Sequence, residues 1–253
     1  MYQEERLISI LQHLKDHKRI SIQEICDLFS VSRDTARRDI IKLEEQGRII
    51  RTRGGAILPT LKKEIFAYKE RLGREPVEKR DIARVAASLI KDGDYIIMDA
   101  STTVQFVAEY LSTKNNVVVT NSIDIADLLS RKEDIKIRLL GGELNPRHRF
   151  LYGASTISKL SEYQVDKLFL GACGITSDGL TYPDEEEGYV KREMIRRADQ
   201  VIVLADHTKF GKRLFHKISG FENIDIIITD QEPDGDIAAI LREHNVEVII
   251  TTE

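Results

Sequence analysis

Apolar positions in the first part of the chain recur with a helical period. Leu7, Ile10, Leu11 and Leu14 fall at i, i+3, i+4 and i+7, which predicts an amphipathic helix over residues 4–16. The stretch His17-Lys18-Arg19-Ile20 breaks the pattern. Ser21 then opens an S-x-x-E capping box with Glu24, and Ile22, Ile25, Leu28 and Phe29 mark a second, shorter helix. After the turn Ser30-Val31-Ser32, Ser32 is placed to cap a third helix that runs to about Gln46 and stops at Gly47. Three short helices with a tight turn between the second and third make a helix-turn-helix. Two β-prone runs in "RIIRTRGGAILP" then flank Gly54-Gly55 and predict a hairpin, the wing of such a module.

From residue 76 onward the pattern changes to apolar runs separated by amphipathic stretches. The runs are "YIIMD", "VVVT", "IKIRLL", "KLFLGA", "VIVLA", "DIIITD" and "VEVIIT". Between them, helices are predicted over 76–91, with Pro76 in the first turn, and over 103–112, 123–131, 154–162, 185–198 and about 235–243. Near-continuous Val/Ile/Leu strands alternating with helices predict a largely parallel sheet covered on both faces. The charged stretch "TLKKEIFAYKERLGRE", residues 60–75, reads as a partly helical connector. The expected organisation is a winged helix-turn-helix over 1–58, a connector over 59–75 and an α/β domain over 76–253.

Charge sharpens the division. The whole chain is −4, yet residues 1–60 carry 11 Lys+Arg against 9 Asp+Glu, so the remainder is −6. On the third helix, at roughly 100° per residue, Ala36, Ile40 and Leu43 share the inward face. Asp34, Arg38 and Lys42 lie opposite, Arg37 lies on the flank, and Arg33 and Thr35 occupy the N-terminal turn. In a helix-turn-helix that surface meets base edges and phosphates. Arg51 and Arg53 lie just before the wing tip, within reach of the DNA backbone or minor groove. No apolar run of transmembrane length and no signal peptide is evident. The widely separated Cys26 and Cys173 read as buried free thiols, so a cytoplasmic location is expected. The six histidines show no ligand spacing beyond His13 and His17, and no metal or cofactor is expected.

In a parallel sheet, ligands bind at the carboxyl ends of the strands. Those ends read Asp99-Ala-Ser-Thr-Thr, Thr120-Asn-Ser, Gly141-Gly-Glu, Gly171-Ala-Cys-Gly and Asp206-His-Thr-Lys. Small, hydroxyl-bearing and glycine residues recur where a polar, phosphorylated ligand would sit, with Asp99 through Thr103 forming a strand–turn–helix phosphate cradle. Arg147-His148-Arg149 reads either as an anion contact or as a solvated basic loop.

The segments "RLISILQHL", "SRDTARRDIIKLEEQG" and "RTRGGA" resemble the N-terminal module of DeoR-type bacterial transcription regulators. The signature residues are Arg6, Ile10, Leu14, Ser32, Thr35, Arg37, Arg38, Asp39 and Ile40. The blocks "DGDYIIMDASTT", "TNSIDIA", "LLGGEL", "GACGITSDGLT", "EEGYVKREMI" and "ADQVIVLADHTKFG" resemble that family's sensor domain. The resemblance implies an α/β domain of the ribose-5-phosphate isomerase/CoA-transferase type. It implies operator-DNA binding led by Arg37 and Arg38, with the glycines Gly54 and Gly55 easing approach of the wing backbone, and repression of a carbohydrate operon. It also implies a phosphorylated sugar effector held by Ser101, Thr102, Thr103, Asn121, Ser122, Gly142, Asp178, Lys191, Asp206 and Lys209. Ser101 stands where the family usually has Gly; either its Cβ restricts the approach of a phosphate or its hydroxyl compensates as a donor.

The alternative is a sugar-phosphate isomerase with an appended DNA-binding module. Isomerisation needs a carboxylate base near the substrate C–H. Related isomerases place an acidic cluster where this chain reads "GACGIT", and no acid follows until Asp178. The acids Asp184 to Glu187 read as a solvated helix N-terminus. The expectation is a regulator and not an enzyme. A single small module gives little specificity, so at least a dimer is expected, reading half-sites about one helical turn or a multiple apart.

Overall fold

The computed structural model of the protein describes residues 2–45, 48–58, 66–74 and 76–251. The chain divides into two compact units, Met1–Lys62 and Lys63–Glu253. Among the described residues, no helix is long and apolar enough to cross a membrane.

The first unit contains α1 (Gln3–His17), β1 (Arg19–Ser21), α2 (Ile22–Phe29), α3 (Arg33–Glu45), β2 (Ile50–Thr52) and β3 (Gly55–Ile57). Lys18, in a left-handed conformation, ends α1. The capping box forms as expected: Glu24 N–H donates to Ser21 Oγ at 3.1 Å, and Ser21 N–H to Glu24 Oε2 at 2.7 Å. The periodic aliphatics of α1 meet Ile25, Ala36, Ile40 and Leu43 in one core. The expected stop of α3 at Gln46 and Gly47 lies outside the described residues.

The break after α1 is a short strand: β1 pairs antiparallel with β3, which also pairs with β2. Three residues are too few to display an alternating pattern, so this strand is invisible in the sequence. It also gives Gly55 a different role from easing an approach to DNA. A Cβ at Gly55 would lie 1.9 Å from the Ile20 carbonyl oxygen, so glycine is required where β1 crosses close to β3. At Gly54 nothing lies within 4 Å of such a Cβ.

The second unit opens with α4 (Tyr68–Leu72), inside the expected connector, of which residues 59–65 and 75 lie outside the described ones. It continues through α5 (Pro76–Ser88), β4 (Tyr95–Met98), α6 (Thr102–Tyr110), β5 (Asn116–Thr120), α7 (Ile123–Leu129) and β6 (Ile135–Leu139). Next come β7 (Glu143–Asn145), β8 (Phe150–Tyr152), α8 (Ala154–Leu160), β9 (Val165–Gly171), β10 (Gly174–Thr176), β11 (Gly179–Tyr182) and α9 (Glu185–Arg196). The chain closes with β12 (Ala198–Leu204), β13 (His216–Ser219), β14 (Ile226–Thr229), α10 (Gly235–Glu243) and β15 (Glu247–Ile250). The seven predicted strands form one parallel sheet in the order β15-β14-β12-β9-β4-β5-β6.

Alternate residues of each strand serve opposite faces. Ile97, Leu168 and Val203 pack with Val190 and Met194 of α9, whereas Ile96, Phe169 and Ile202 pack with Ile82 of α5 and Val107 of α6. Both faces are dry, as the continuous apolar runs required. The hairpin β7–β8 and the small sheet β10-β11-β13 were not legible. They are short, polar or glycine-rich, and they decorate the carboxyl edge instead of building the sheet. Of the two cysteines, Cys173 is buried but Cys26 is only partly so, since α2 is a thin outer helix of a small unit.

Candidate functional site

In the first unit, α3 buries Ala36, Asp39, Ile40 and Leu43 and leaves Arg33, Arg37 and Arg38 exposed. Asp39 is buried because Arg6 of α1 lies against it, with Arg6 Nε 2.5 Å from Asp39 Oδ2 and Gln3 Nε2 3.0 Å from Oδ1. The carboxylate holds the guanidinium pKa above its ordinary value through this hydrogen bond. Two charged members of the sequence signature therefore fasten α1 to α3 from the inner side. The remaining cations differ in freedom. Arg33 donates to Gln23 of α2 at 2.8 Å, and the Ser32 and Thr35 hydroxyls bond one another at 2.9 Å. Lys42 is half-buried and leans 3.4 Å from Gln3 Oε1, away from the outward face expected for it. Arg37 lies 3.8 Å from Asp34 with both side chains largely exposed. Arg51 and Arg53 are exposed on the hairpin, whose Gly54 carbonyl accepts from Ile22 N–H at 2.8 Å and so fixes the wing to the start of α2.

In the second unit, β4 and β9 are neighbours, but the chain leaves them in opposite senses: β4 leads to β5 and β9 leads to β12. Such a switch point opens a crevice at the strands' carboxyl ends. Asp99 and Ser101 follow β4 there, facing Gly171 at the end of β9. Ser101 caps α6, accepting from Val104 N–H at 3.1 Å, and its own N–H donates to Asp99 Oδ1 at 3.1 Å. A Cβ on Gly171 would fall 2.1 Å from Ser101 Oγ, so the glycine makes room for the serine. The Ser101 side chain is turned into the cap and against β9. The Thr102 and Thr103 amides, in the first turn of α6, have no intrahelical acceptor.

Lys191 of α9 is buried in contact with the Asp99 carboxylate and 3.3 Å from Glu187 Oε1. Burial opposes its charge, but the two carboxylates outweigh burial and hold its pKa above the ordinary lysine value. Glu187 is a correction to the reading of Asp184–Glu187 as one solvated run. Asp184, Glu185 and Glu186 are exposed, whereas Glu187 is buried a turn into α9. Asp184 caps the helix, accepting from Glu187 N–H at 3.0 Å.

Around this centre, Asn121 donates to Leu151 O at 3.0 Å, while its buried Oδ1 has no hydrogen-bond partner. Ser122 caps α7. Gly142, at φ +142°, packs where a Cβ would strike Thr156 and Tyr152. Asp206 is paired with Lys209 at 2.8 Å; burial alone would raise its pKa, yet Lys209 and Thr208 bring it below the ordinary value. Arg147 is exposed, and its carbonyl accepts from Tyr68 N–H at 3.0 Å. Arg149 turns away to bind Asp124 at 2.7 Å. The pKa of His148 is lowered by burial and then by Arg71, and its Nδ1 has no partner among the described residues.

Asp178 departs from the group. It sits exposed at the β10–β11 tip, where it pairs with Arg213. Arg71, Tyr68, Glu187 and Tyr182 were not singled out from the sequence. Arg71 and Tyr68 fell in an apparent connector, and burial of Glu187 is visible only once α9 is packed.

A family model described as the DeoR-like helix-turn-helix domain matches residues 6–62, and one described as the DeoR C terminal sensor domain matches residues 74–231. The chain is 54% identical over 253 residues to the HTH-type transcriptional repressor GlcR of Bacillus subtilis (strain 168), covering 100% of this chain and 98% of the relative. It is 34% identical over 250 residues to the glycerol-3-phosphate regulon repressor of Escherichia coli (strain K12), covering 98% and 99%. Ribose 5 phosphate isomerase A from Neisseria gonorrhoeae aligns over 52% of each chain with 18% identity and a TM-score of 0.39, a likeness too distant to carry functional weight.

Proposed function

The chain belongs to the DeoR family of DNA-binding transcriptional regulators, and on that premise we propose that it represses its target genes until a phosphorylated sugar or polyol binds its C-terminal domain. It is a regulator and not an enzyme. Residues 1–58 form the operator-binding module, 76–253 the sensing domain, and 59–75 the link between them. Arg37 and Arg38 make the leading DNA contacts, supported by Ser32, Arg33 and Thr35 at the start of α3 and by Arg51 and Arg53 on the wing. Lys42 serves at the edge of that surface.

The observation that carries the effector reading is the convergence at the β4–β9 switch point. Asp99, Ser101 and Lys191 meet there beside the first-turn amides of Thr102 and Thr103. Asn121, Ser122, Gly142, Arg147, Asp206 and Lys209 come from neighbouring strand ends. The relative named for a glycerol-3-phosphate regulon supports a phosphorylated ligand. The active form is a homo-oligomer, at least a dimer, because paired modules reading paired half-sites supply the specificity that one cannot.

A thermal-shift panel of sugar phosphates beside the same sugars unphosphorylated tests the effector. At about 100 times its Kd, the effector stabilises the folded sensor by roughly 2.7 kcal/mol. A response confined to unphosphorylated sugars would sink the reading.

A further inference from the structure

We infer that Arg71, on the short helix α4, is an anion ligand of the sensor site, so that binding of the effector's phosphate directly tightens the segment that leads into the sensing domain. The inference rests on the phosphorylated-effector reading above and adds to it both a binding residue and a route for regulation.

The charge balance of the crevice calls for such a residue. Lys191 is the buried cation at its centre, but Asp99 and Glu187 both contact it, so the three groups together carry −1. They cannot by themselves attract a phosphate. Tyr182, whose ring centre lies 4.7 Å from Lys191 Nζ, belongs to this centre, and the Arg71 guanidinium, 5.5 Å from the buried Tyr68 ring, opposes the upward shift that burial gives Tyr182 and Cys173 and adds to the lowering that burial gives His148. Arg71 Nε is buried, yet it has no hydrogen-bond partner among the described residues, and neither has His148 Nδ1. A buried guanidinium N–H left without an acceptor is costly. An anion is the acceptor that satisfies it best, since charge-assisted bonds from arginine are among the strongest in proteins.

α4 is built to register such a bond. Five residues form no stable helix alone, so tertiary contacts hold it. Tyr68 is buried, its hydroxyl donating to Gln105 of α6 at 2.5 Å and its N–H to Arg147 O at 3.0 Å. At the other end, buried Lys79 donates to the Arg71 and Arg74 carbonyls. Gln105 belongs to the helix whose N-terminus receives the phosphate, and Arg147 neighbours His148. An anion bridging Arg71 to that cradle ties α4 down from its side-chain face as well.

The test uses the full chain and inorganic phosphate as probe. The ¹⁵N–¹H signal of Arg71 Nε, identified by its absence in Arg71→Gln, is followed in the wild type. Hydrogen exchange of Tyr68–Leu72 and operator affinity are measured alongside. Phosphate is expected to move the Arg71 signal saturably and to slow exchange in α4. Arg71→Gln should weaken phosphate binding about tenfold or more, with Arg71→Lys intermediate because it keeps charge without the guanidinium fork. The change in operator affinity that phosphate causes in the wild type should be lost in Arg71→Gln. Unchanged phosphate affinity in Arg71→Gln, or a stationary Arg71 signal in a phosphate-saturated wild type, overturns the role of Arg71 and leaves the sensor reading standing. No saturable phosphate response in the wild type overturns both.

Discussion

Arg37 and Arg38 are the two residues immediately before the buried Asp39, and neighbours on one helix thus do opposite work. The pair facing solvent carries the predicted DNA contacts. Replacing both, Arg37→Ala with Arg38→Ala, should abolish specific operator binding while leaving the melting of both units and the response to sugar phosphates unchanged; a fluorescence-anisotropy titration beside a thermal-shift assay reads both. Asp39→Ala acts by another route. It strands the Arg6 guanidinium against the core, and breaking a buried pair costs about 3–5 kcal/mol. Denaturant unfolding should show that loss in the first unit alone, with operator binding failing in proportion to the unfolded fraction. His148 predicts a pH effect. Burial and then Arg71 lower its pKa in the fold below the ordinary 6.5, so the unfolded chain takes up the proton more readily. Its contribution is therefore complete above about 6.5 and is lost as pH falls towards the lower folded value. Denaturation of the second unit at a series of acidic pH values should show this decline, and His148→Gln should flatten it.

At the scale of elements, the hairpin of the first unit shows how a glycine pair divides its roles. Gly55→Ala drives a methyl into the Ile20 carbonyl at the β1–β3 crossing and should destabilise the first unit by about 1–3 kcal/mol, the usual range for overpacking. Gly54→Ala meets no atom and should be nearly silent. Denaturant curves of the two variants decide this, and equal effects would contradict the crossing as the reason for Gly55. The Ser101–Gly171 pair follows the same logic in the sensor, where absence of a side chain on one strand end admits a cap on the other. The sequence already marked Ser101 as a departure from its relatives. What it did not disclose is that the hydroxyl serves α6 and that the added bulk is taken up by β9.

For the whole molecule, the proposed DNA-binding dimer predicts two measurable behaviours. Sedimentation should give at least twice the monomer mass. Operator affinity should fall steeply with salt, since each neutralised phosphate contributes about −0.9 to the slope of log K against log salt. Loss of a wing cation, Arg51→Ala or Arg53→Ala, should reduce that slope by about one if the residue meets a phosphate. An unchanged slope would remove that residue from the DNA contacts.

The sequence alone determined the helix-turn-helix, the wing, the seven parallel strands and the strand ends at which the effector is proposed to bind. All of these follow from local periodicity, capping and turn chemistry, which are written within a few residues of one another. The strands β1, β7, β8, β10, β11 and β13 escaped because they are short and most are polar or glycine-rich, without the apolar run that marked strands such as β4 and β14. The electrostatic state of the site was decided only by tertiary structure. Lys191 was expected as an effector contact, but only the fold brings Asp99 to it from 92 residues away, and Glu187 looked solvated until α9 was packed. Tyr68 and Arg71 looked like a linker until Lys79, Gln105 and the Arg147 carbonyl secured them. Burial and charge compensation are properties of neighbours in space, and no local pattern encodes which distant residues will become neighbours.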